Sequence, residues 1–260
     1  MSQGSIHSSA IVHPDARIGM GCRIGPFSVV GAGVTLGPEC ELISHAVVDG
    51  RVEVGEGCRF FPFCSIGLEP QDLKYRGEPT RVVIGRRNTF REFVTVHSGT
   101  QGGGAVTTIG DRNLFMAYTH VAHDCRVGSD TIFANAATLA GHVTVEDFAV
   151  IGAFSGVHQF CRVGAHAYIG GYSVITQDAL PYVLTVGNRA KAYGMNLVGL
   201  KRRAFSEESI AALRQAYRLL FQSNLTTTRA LERIDADLGG IPEVAYLASF
   251  IRSSERGIVK

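Results

Sequence analysis

The chain has 260 residues, of which 45% are hydrophobic and 18% are charged, and its formal net charge is +2. This composition excludes a disordered protein, and the small charge argues against nucleic-acid binding, which requires a clear basic excess. The chain starts without a basic segment followed by an apolar run, and no apolar run approaches the roughly 18 residues of a membrane span. We therefore expect a cytoplasmic protein.

Large apolar residues recur at every sixth position from the beginning of the chain. This spacing fits neither a helix nor an ordinary strand, and a fixed short period of this kind is the signature of a hexapeptide parallel β-helix. Three hexads close one coil of about 18 residues, so residues separated by one such coil should stack on each other. The first apolar series comprises Ile6, Val12, Ile18, Ile24, Val30, Leu36, Leu42, Val48, Val54, Phe60 and Ile66.

Two segments interrupt this period, and interruptions in a repeat protein form loops that often carry function. The first lies near 67–83 and contains QDLKYRGEPT, and the second lies near 98–108 and contains QGGG. The apolar series then resumes one position later and continues from Ile109 to Ile175. If the second loop bulges out of a single coil, Val96 lies below Val121.

Small side chains follow most apolar anchors by four positions, and every cysteine falls in this slot. Free cysteine packs as a small buried hydrophobe, so we predict core residues and neither disulfides nor metal ligands. The cysteines are Cys22, Cys40, Cys58, Cys64, Cys125 and Cys161.

The six-residue period fades after Pro181, and the remaining sequence predicts helices. We place an all-β β-helix at residues 1–190 and a small C-terminal helical domain at 191–260. Ser206 is suited to an N-cap because acidic residues follow it. A second helix is predicted over about Thr227–Leu238, and a third starts at Pro242.

The coil length arranges the histidines between residues 120 and 160 into columns that run along the β-helix. His123, Gly141 and Gln159 form one column, and the adjacent column contains His142. The pairing of Val96 below Val121 would bring His97 close to His123. The histidines of this cluster are His97, His120, His123, His142 and His158.

This cluster suits acyl transfer. A neutral imidazole near pH 7 is the usual general base for a hydroxyl, which makes His123 the candidate base. Asp124 could orient the ring, although neighbours in a strand point to opposite faces unless a corner intervenes. The backbone N–H of Gly141 is a suitable oxyanion donor.

Other interpretations stay open from the residues alone. Histidines on neighbouring coils can ligate zinc, so a zinc β-helix enzyme of carbonic-anhydrase type is one alternative, and a scaffold without activity is another. Asp72 and Lys74 could hold sugar hydroxyls and a phosphate, or be solvated loop charges. The basic run at 201–203 could bind a diphosphate or an acidic carrier protein, or be solvated.

Motifs spread along nearly the whole chain resemble those of the UDP-N-acetylglucosamine O-acyltransferases of lipid A biosynthesis, a hexapeptide-repeat family of Gram-negative bacteria. Hexads alone indicate only a broad superfamily, whereas QDLKYRGEPT together with HVAHDC and HQFC is specific. The resemblance implies left-handed coils and a homotrimer with active sites between β-helices. It implies transfer of an (R)-3-hydroxyacyl group from acyl carrier protein to UDP-N-acetylglucosamine, without a metal and with no cofactor except the phosphopantetheine of the carrier.

The resemblance also implies the roles of individual residues. His123 would be the general base, Asp124 its support, and the Gly141 N–H the oxyanion donor. Asn196, Arg202 and Arg203 would contact the nucleotide or the carrier protein. Residues on the sugar and pantetheine side or in the cleft would be Asp72, Lys74, His97, His120, His142, His158 and Gln159.

One position in the resemblance bears on the acyl chain. Gly171 matches the position that sets acyl length, and a glycine there leaves the groove open. We therefore expect a long acyl group of about fourteen carbons, judged against the spacing of strands. Val198 departs from the family pattern, because relatives often carry an acidic residue there.

Overall fold

The computed structural model describes residues 4–260, in which short strands precede a helical C-terminal region. The strands up to the second interruption are β1 (Ser5–Ile6), β2 (Ile11–Val12), β3 (Arg17–Ile18), β4 (Arg23–Ile24), β5 (Val29–Val30), β6 (Val34–Leu36), β7 (Glu41–Leu42), β8 (Val47–Val48), β9 (Val52–Val54), β10 (Arg59–Phe60), β11 (Ser65–Leu68), β12 (Arg81–Ile84), β13 (Thr89–Phe90) and β14 (Thr95–His97).

The second interruption contains a 3₁₀ helix at Gln101–Gly103, after which the strands continue. These are β15 (Val106–Ile109), β16 (Leu114–Phe115), β17 (His120–Val121), β18 (Arg126–Val127), β19 (Ile132–Phe133), β20 (Thr138–Leu139), β21 (Thr144–Val145), β22 (Val150–Ile151), β23 (Gly156–Val157), β24 (Arg162–Val163), β25 (Tyr168–Ile169), β26 (Val174–Ile175), β27 (Val183–Gly187) and β28 (Ala190–Met195).

Successive strands enter three sheets in turn, which gives the parallel β-helix that the six-residue period predicts, with the left-handed coils that the resemblance implies. Sheet A begins with β1, β4 and β7, sheet B with β2, β5 and β8, and sheet C with β3, β6 and β9. The expected stacking of coils is confirmed, since Val121 pairs with Leu139 and Leu139 with Val157.

The apolar anchors fill the interior of the coils. Four phenylalanine rings, at Phe60, Phe90, Phe115 and Phe133, stack on one another with centroids 4.8–5.1 Å apart. All six cysteines are free and buried, as predicted from their place in the hexads. This packing fixes the coils so that their corners hold side chains at a constant spacing.

Both interruptions leave the β-helix at the same edge. Residues 69–80 connect β11 of sheet B to β12 of sheet C, and residues 98–105 connect β14 of sheet B to β15 of sheet C. Val96 pairs with Val121, as expected for a loop that bulges from one coil. We call the turns between a strand of sheet B and the next strand of sheet C the B–C corner. Both loops therefore cover one corner.

The end of the β-helix differs from the expectation that the repeat only fades. Strands β27 and β28 form an antiparallel pair at the end of sheet A, and the antiparallel register does not follow the six-residue period. A second apolar core then begins with Leu180 and includes Leu200 and Phe250. None of the helices formed by residues 4–260 combines the length and apolar character that a membrane crossing requires.

The C-terminal region contains α1 (Leu197–Arg202), α2 (Glu207–Phe221), α3 (Thr227–Leu238) and α4 (Pro242–Arg252). Ser206 caps α2 by accepting a hydrogen bond from the N–H of Ser209, as its sequence context predicts. The short helix α1 was not predicted. After α4 the chain returns to the β-helix, where Asp178 pairs with Ile258.

Candidate active site

The pair formed by His123 and Asp124 lies at the B–C corner. Asp124 adopts a left-handed backbone conformation with φ of 59°, so its side chain lies beside that of His123 and does not point to the opposite face. His123 Nδ1 is 2.8 Å from Asp124 Oδ2. A carboxylate can only accept, so Nδ1 carries the proton and Nε2 is free to act as a base.

The second loop holds the carboxylate of Asp124, whose side chain is fully buried. The Thr100 backbone N–H donates to both carboxylate oxygens at 2.9 and 3.1 Å, and the Thr100 hydroxyl donates to Oδ2 at 2.6 Å. The glycines of this loop make the approach possible. A Cβ atom at Gly103 would lie 2.0 Å from the Asp124 carboxyl carbon.

Gly141 lies one coil further along the same corner, against the imidazole of His123. A Cβ atom at this position would meet His123 Cε1 at 2.4 Å and Nε2 at 2.6 Å. The buried Gly141 N–H donates to no backbone acceptor within residues 4–260, a property it shares with Gln159 in the next coil. Gly141 differs from Gln159 because it contacts the imidazole of His123. Its backbone N–H is therefore a free hydrogen-bond donor close to a ring nitrogen.

His142 and Phe160 continue the corner above Asp124. Their rings stack with centroids 4.5 Å apart, and the His142 ring also contacts His123 edge to face at 5.1 Å. A cavity of about 580 Å³ lies between these rings and the two loops, and Asp72 and Lys74 line it. The first loop therefore brings both predicted sugar-binding residues to the histidine cluster.

His97 and His120 lie below the pair and are kept neutral. Burial lowers the pKa of His120 to about 4, with smaller contributions from His97 and His123. Burial, followed by the nearby His123, also lowers the pKa of His97. Thr95 Oγ1 is 2.7 Å from His120 Nδ1. Neutral imidazoles at these positions can accept hydrogen bonds near pH 7.

A second cavity, of about 530 Å³, lies on the other side of His142 and Phe160. His158 and Gln159 are exposed near it, and His158 Nδ1 is 3.4 Å from a guanidinium nitrogen of Arg256. Arg126 also lines this cavity.

The remaining predicted residues are not brought to His123 within one chain. Asn196 caps α1, with its Oδ1 accepting from Gly199 N at 3.1 Å and its Nδ2 donating to His166 O at 3.0 Å. Arg202 and Arg203 are exposed, and the Arg203 guanidinium lies over the Phe148 ring at the corner between sheets C and A. Gly171 is exposed at the corner between sheets A and B.

The sequence interpretation missed Thr100 and Arg256. The glycines around Thr100 were a usable signal, because they indicate a close approach of backbone to another group. No comparable signal marks Arg256, which reaches the corner only because the C-terminal tail returns to the β-helix.

One side-chain group has the composition of a metal site. The nearest ligand atoms of His123, Asp124 and His142 lie within 4.8 Å of one another. Asp124 already accepts hydrogen bonds from Thr100 and His123. A metal ion on this carboxylate would therefore compete with the proton on His123 Nδ1.

Left-handed hexapeptide coils with a histidine–aspartate pair at a corner are compatible with a hexapeptide-repeat transferase. In agreement, residues 142–177 match the family model described as bacterial transferase hexapeptide (six repeats). Residues 178–259 match the model described as domain 2 of UDP-N-acetylglucosamine O-acyltransferase.

Named relatives show which hexapeptide-repeat transferases this chain resembles. A protein of Thermodesulfovibrio yellowstonii named acyl-[acyl-carrier-protein]–UDP-N-acetylglucosamine O-acyltransferase is 49% identical over 98% of this chain and 99% of its own length. The structure of LpxA from Acinetobacter baumannii has a TM-score of 0.95 at 44% identity, covering 98% of this chain and 99% of that one. A UDP-N-acetylglucosamine acyltransferase from Bacteroides fragilis has a TM-score of 0.96 at 38% identity, covering 98% of this chain and 100% of that one.

The chain belongs to the family of acyl-[acyl-carrier-protein]–UDP-N-acetylglucosamine O-acyltransferases. It is therefore an enzyme that transfers acyl groups, and the resemblance of its motifs to this family is confirmed.

Proposed function

We propose that the chain transfers an (R)-3-hydroxyacyl group from acyl carrier protein to the 3-hydroxyl of UDP-N-acetylglucosamine, the first step of lipid A biosynthesis. The observation that carries this proposal is the contact series from Thr100 through Asp124 and His123 to Gly141. The names of the relatives, which state a carrier-protein donor and this nucleotide sugar, support the choice of substrates.

In the proposed reaction, His123 Nε2 accepts the proton of the sugar hydroxyl while its oxygen attacks the thioester carbon. Asp124 stabilises the imidazolium that forms, as its 2.8 Å hydrogen bond to Nδ1 allows. The Gly141 N–H donates to the oxyanion of the tetrahedral intermediate. When the intermediate collapses, the carbon–sulfur bond breaks and His123 returns the proton to the thiolate, so protons and electrons balance.

We assign substrate binding to the loops and the histidines around this pair. Asp72 and Lys74 would hold sugar hydroxyls and phosphate oxygens in the cavity that they share with His142. The neutral His97 and His120 would line the cleft as hydrogen-bond acceptors. His158 and Gln159, exposed in the coil above, would complete the cleft.

We infer a homotrimer in which a neighbouring copy supplies Asn196, Arg202 and Arg203 to this site. The inference is supported by their distance from His123 along one chain, where they lie near a different corner of the β-helix. The phosphopantetheine of the carrier protein would be the only prosthetic group, and the cytoplasm, where acyl carrier protein occurs, the compartment. Gly171 would leave the groove open for a long acyl chain of about fourteen carbons.

The test is acyl transfer to UDP-N-acetylglucosamine from carrier proteins loaded with chains of different length. We expect His123→Ala to lower kcat by about 10²–10⁴-fold, which is the contribution of a general base. His13→Ala, an exposed histidine of the first coil, is the matched control and should retain the wild-type rate. Light scattering should give a trimer for both variants. Substantial turnover by His123→Ala would exclude the base assignment.

The His123–Asp124–His142 group favours one alternative, a zinc enzyme of carbonic-anhydrase type. Metal analysis of the purified protein separates the two. One zinc ion per chain, lost together with activity on chelation, would favour the alternative, whereas chelator-resistant acyl transfer would support the proposed reaction.

A further inference from the structure

The C-terminal tail carries an arginine to the candidate active site. Asp178 N donates to Gly257 O at 2.8 Å, and Val259 N donates to Asp178 O at 2.9 Å. The Ser254 hydroxyl donates to the buried Asp178 carboxylate at 2.7 Å, and the side chains of Ile258 and Val259 are buried. These contacts fix both sides of Arg256 along the backbone, so its position beside the B–C corner is set by the fold.

Arg256 and Arg126 are charged groups without a carboxylate partner. Neither guanidinium forms an ion pair with any residue from 4 to 260, and the hydrogen-bond contacts of Arg256 are long, at 3.4 Å to both His158 Nδ1 and Thr176 O. Arg162 provides the contrast in the same cavity. Its guanidinium pairs with Glu146 at 3.2 Å and lies over the Phe250 ring at 3.9 Å. Arg162 is thus occupied, whereas Arg126 and Arg256 are available.

Both available arginines line the cavity of about 530 Å³ that also contains His142. The carboxylates of this cavity are Asp124, Asp178 and Glu255. Asp124 accepts hydrogen bonds from Thr100 and His123, and Asp178 accepts them from Arg162 N and Ser254, so both buried carboxylates already have donors. Glu255 is the exposed acidic group of this lining.

We propose that Arg126 and Arg256 form an anion-binding pair that holds a phosphate of a substrate beside His142. Guanidinium groups bind phosphate oxygens through two parallel hydrogen bonds, and an unpaired arginine keeps its full charge for the ligand. This inference rests on the proposed function, in which two phosphate groups approach the site. One is the diphosphate of the nucleotide sugar, and the other is the phosphate of the carrier's phosphopantetheine.

The test compares Arg256→Gln and Arg126→Gln with Arg229→Gln, an exposed arginine of α3. Loss of a hydrogen bond to a charged ligand should raise the KM of the substrate concerned by about tenfold or more, with kcat within threefold of wild type. Arg229→Gln should change neither constant. Arg256→Lys keeps the charge and should recover part of the loss, and Glu255→Gln should lower the same KM.

The two sources of phosphate are distinguished by the substrate that responds. A rise in KM for UDP-N-acetylglucosamine alone assigns the pair to the diphosphate. A rise in KM for acyl-phosphopantetheine that is absent for acyl-pantetheine assigns the arginine pair to the phosphate of the acyl donor. Unchanged KM values for both substrates, or a fall in kcat alone, would overturn the inference while leaving the reaction intact.

Direct binding keeps the inference testable if wild-type protein shows no transfer. Calorimetric titration with UDP and with 4′-phosphopantetheine needs no turnover, and the same variants should weaken binding of one of them about tenfold. Equal affinities across all variants would contradict the assignment of Arg126 and Arg256 as an anion-binding pair. Melting temperatures close to wild type would show that the tail stays docked, and Arg126→Gln, which lies on β18, tests the cavity independently of the tail.

Discussion

Replacement of Gly141 by alanine tests the contact that places the proposed base. The added methyl carbon would lie 2.4 Å from His123 Cε1, whereas carbon atoms at rest are about 3.5 Å apart, so the ring must move by about 1 Å. A displacement of this size in a catalytic group lowers the rate by about 10²-fold, or about 2.7 kcal/mol in the barrier. The backbone at Gly141 lies outside the positive-φ region, so alanine should not strain the coil.

The assay is kcat for transfer from acyl carrier protein, measured with the melting temperature. We expect Gly141→Ala to lose about 10² in kcat while its melting temperature stays close to wild type. Gly156→Ala is the matched control, because a Cβ atom at that glycine of β23 meets nothing within 4 Å. A Gly141→Ala variant with kcat within twofold of wild type would refute the view that the imidazole rests on this glycine.

Three further predictions concern Thr100, two buried histidines and Gly171. Thr100→Val removes the 2.6 Å hydrogen bond to Asp124 and should lower kcat/KM about tenfold. Thr138→Val, at an exposed strand residue, is the control and should keep the wild-type kcat/KM. Equal kcat/KM values for the two variants would show that Thr100 has no role in the site. Burial lowers the pKa of His120 and His166 from 6.5 to about 4 in the folded protein. Between about pH 6.5 and 4 these histidines bind protons in the unfolded chain but not in the folded one, so the free energy of unfolding should fall as the pH drops through this range. The urea midpoint should fall with pH over this range, and His120→Gln should make that dependence weaker. The same pH dependence in the variant and the wild type would contradict the lowered pKa of His120. Gly171→Met should shift the preference toward shorter acyl donors, and an unaltered chain-length profile would exclude the ruler role.

The coils could be predicted from sequence because the six-residue period controls both the direction of each side chain and the stacking of coils. The pairing of Val96 with Val121 follows from that period once the second interruption is taken as a loop that bulges from one coil. The three longer helices could also be predicted, since Ser206 and Pro242 mark their starts by local chemistry. In these regions a residue's neighbours along the chain determine its structure.

The parts that could not be predicted depend on contacts between distant segments. The pairing of β27 with β28 breaks the six-residue period, and the return of Ile258 to Asp178 joins residues far apart in sequence. At the site, the left-handed conformation of Asp124 decides whether its carboxylate meets His123. The sequence left open whether a corner lies there, and only the structure shows that Thr100 of the second loop holds the buried carboxylate.

The placement of both loops at the B–C corner has a consequence for how this enzyme can diversify. Ile66 still pairs with Val96, and Val96 with Val121, although each loop adds residues between them. Length changes at this corner leave the strand pairing of later coils intact, whereas one residue inserted in a strand would turn every following side chain to the wrong face. The first loop, at residues 69–80, can therefore change in length while the imidazole and its carboxylate stay in place, whereas the second loop is constrained because Thr100 holds Asp124.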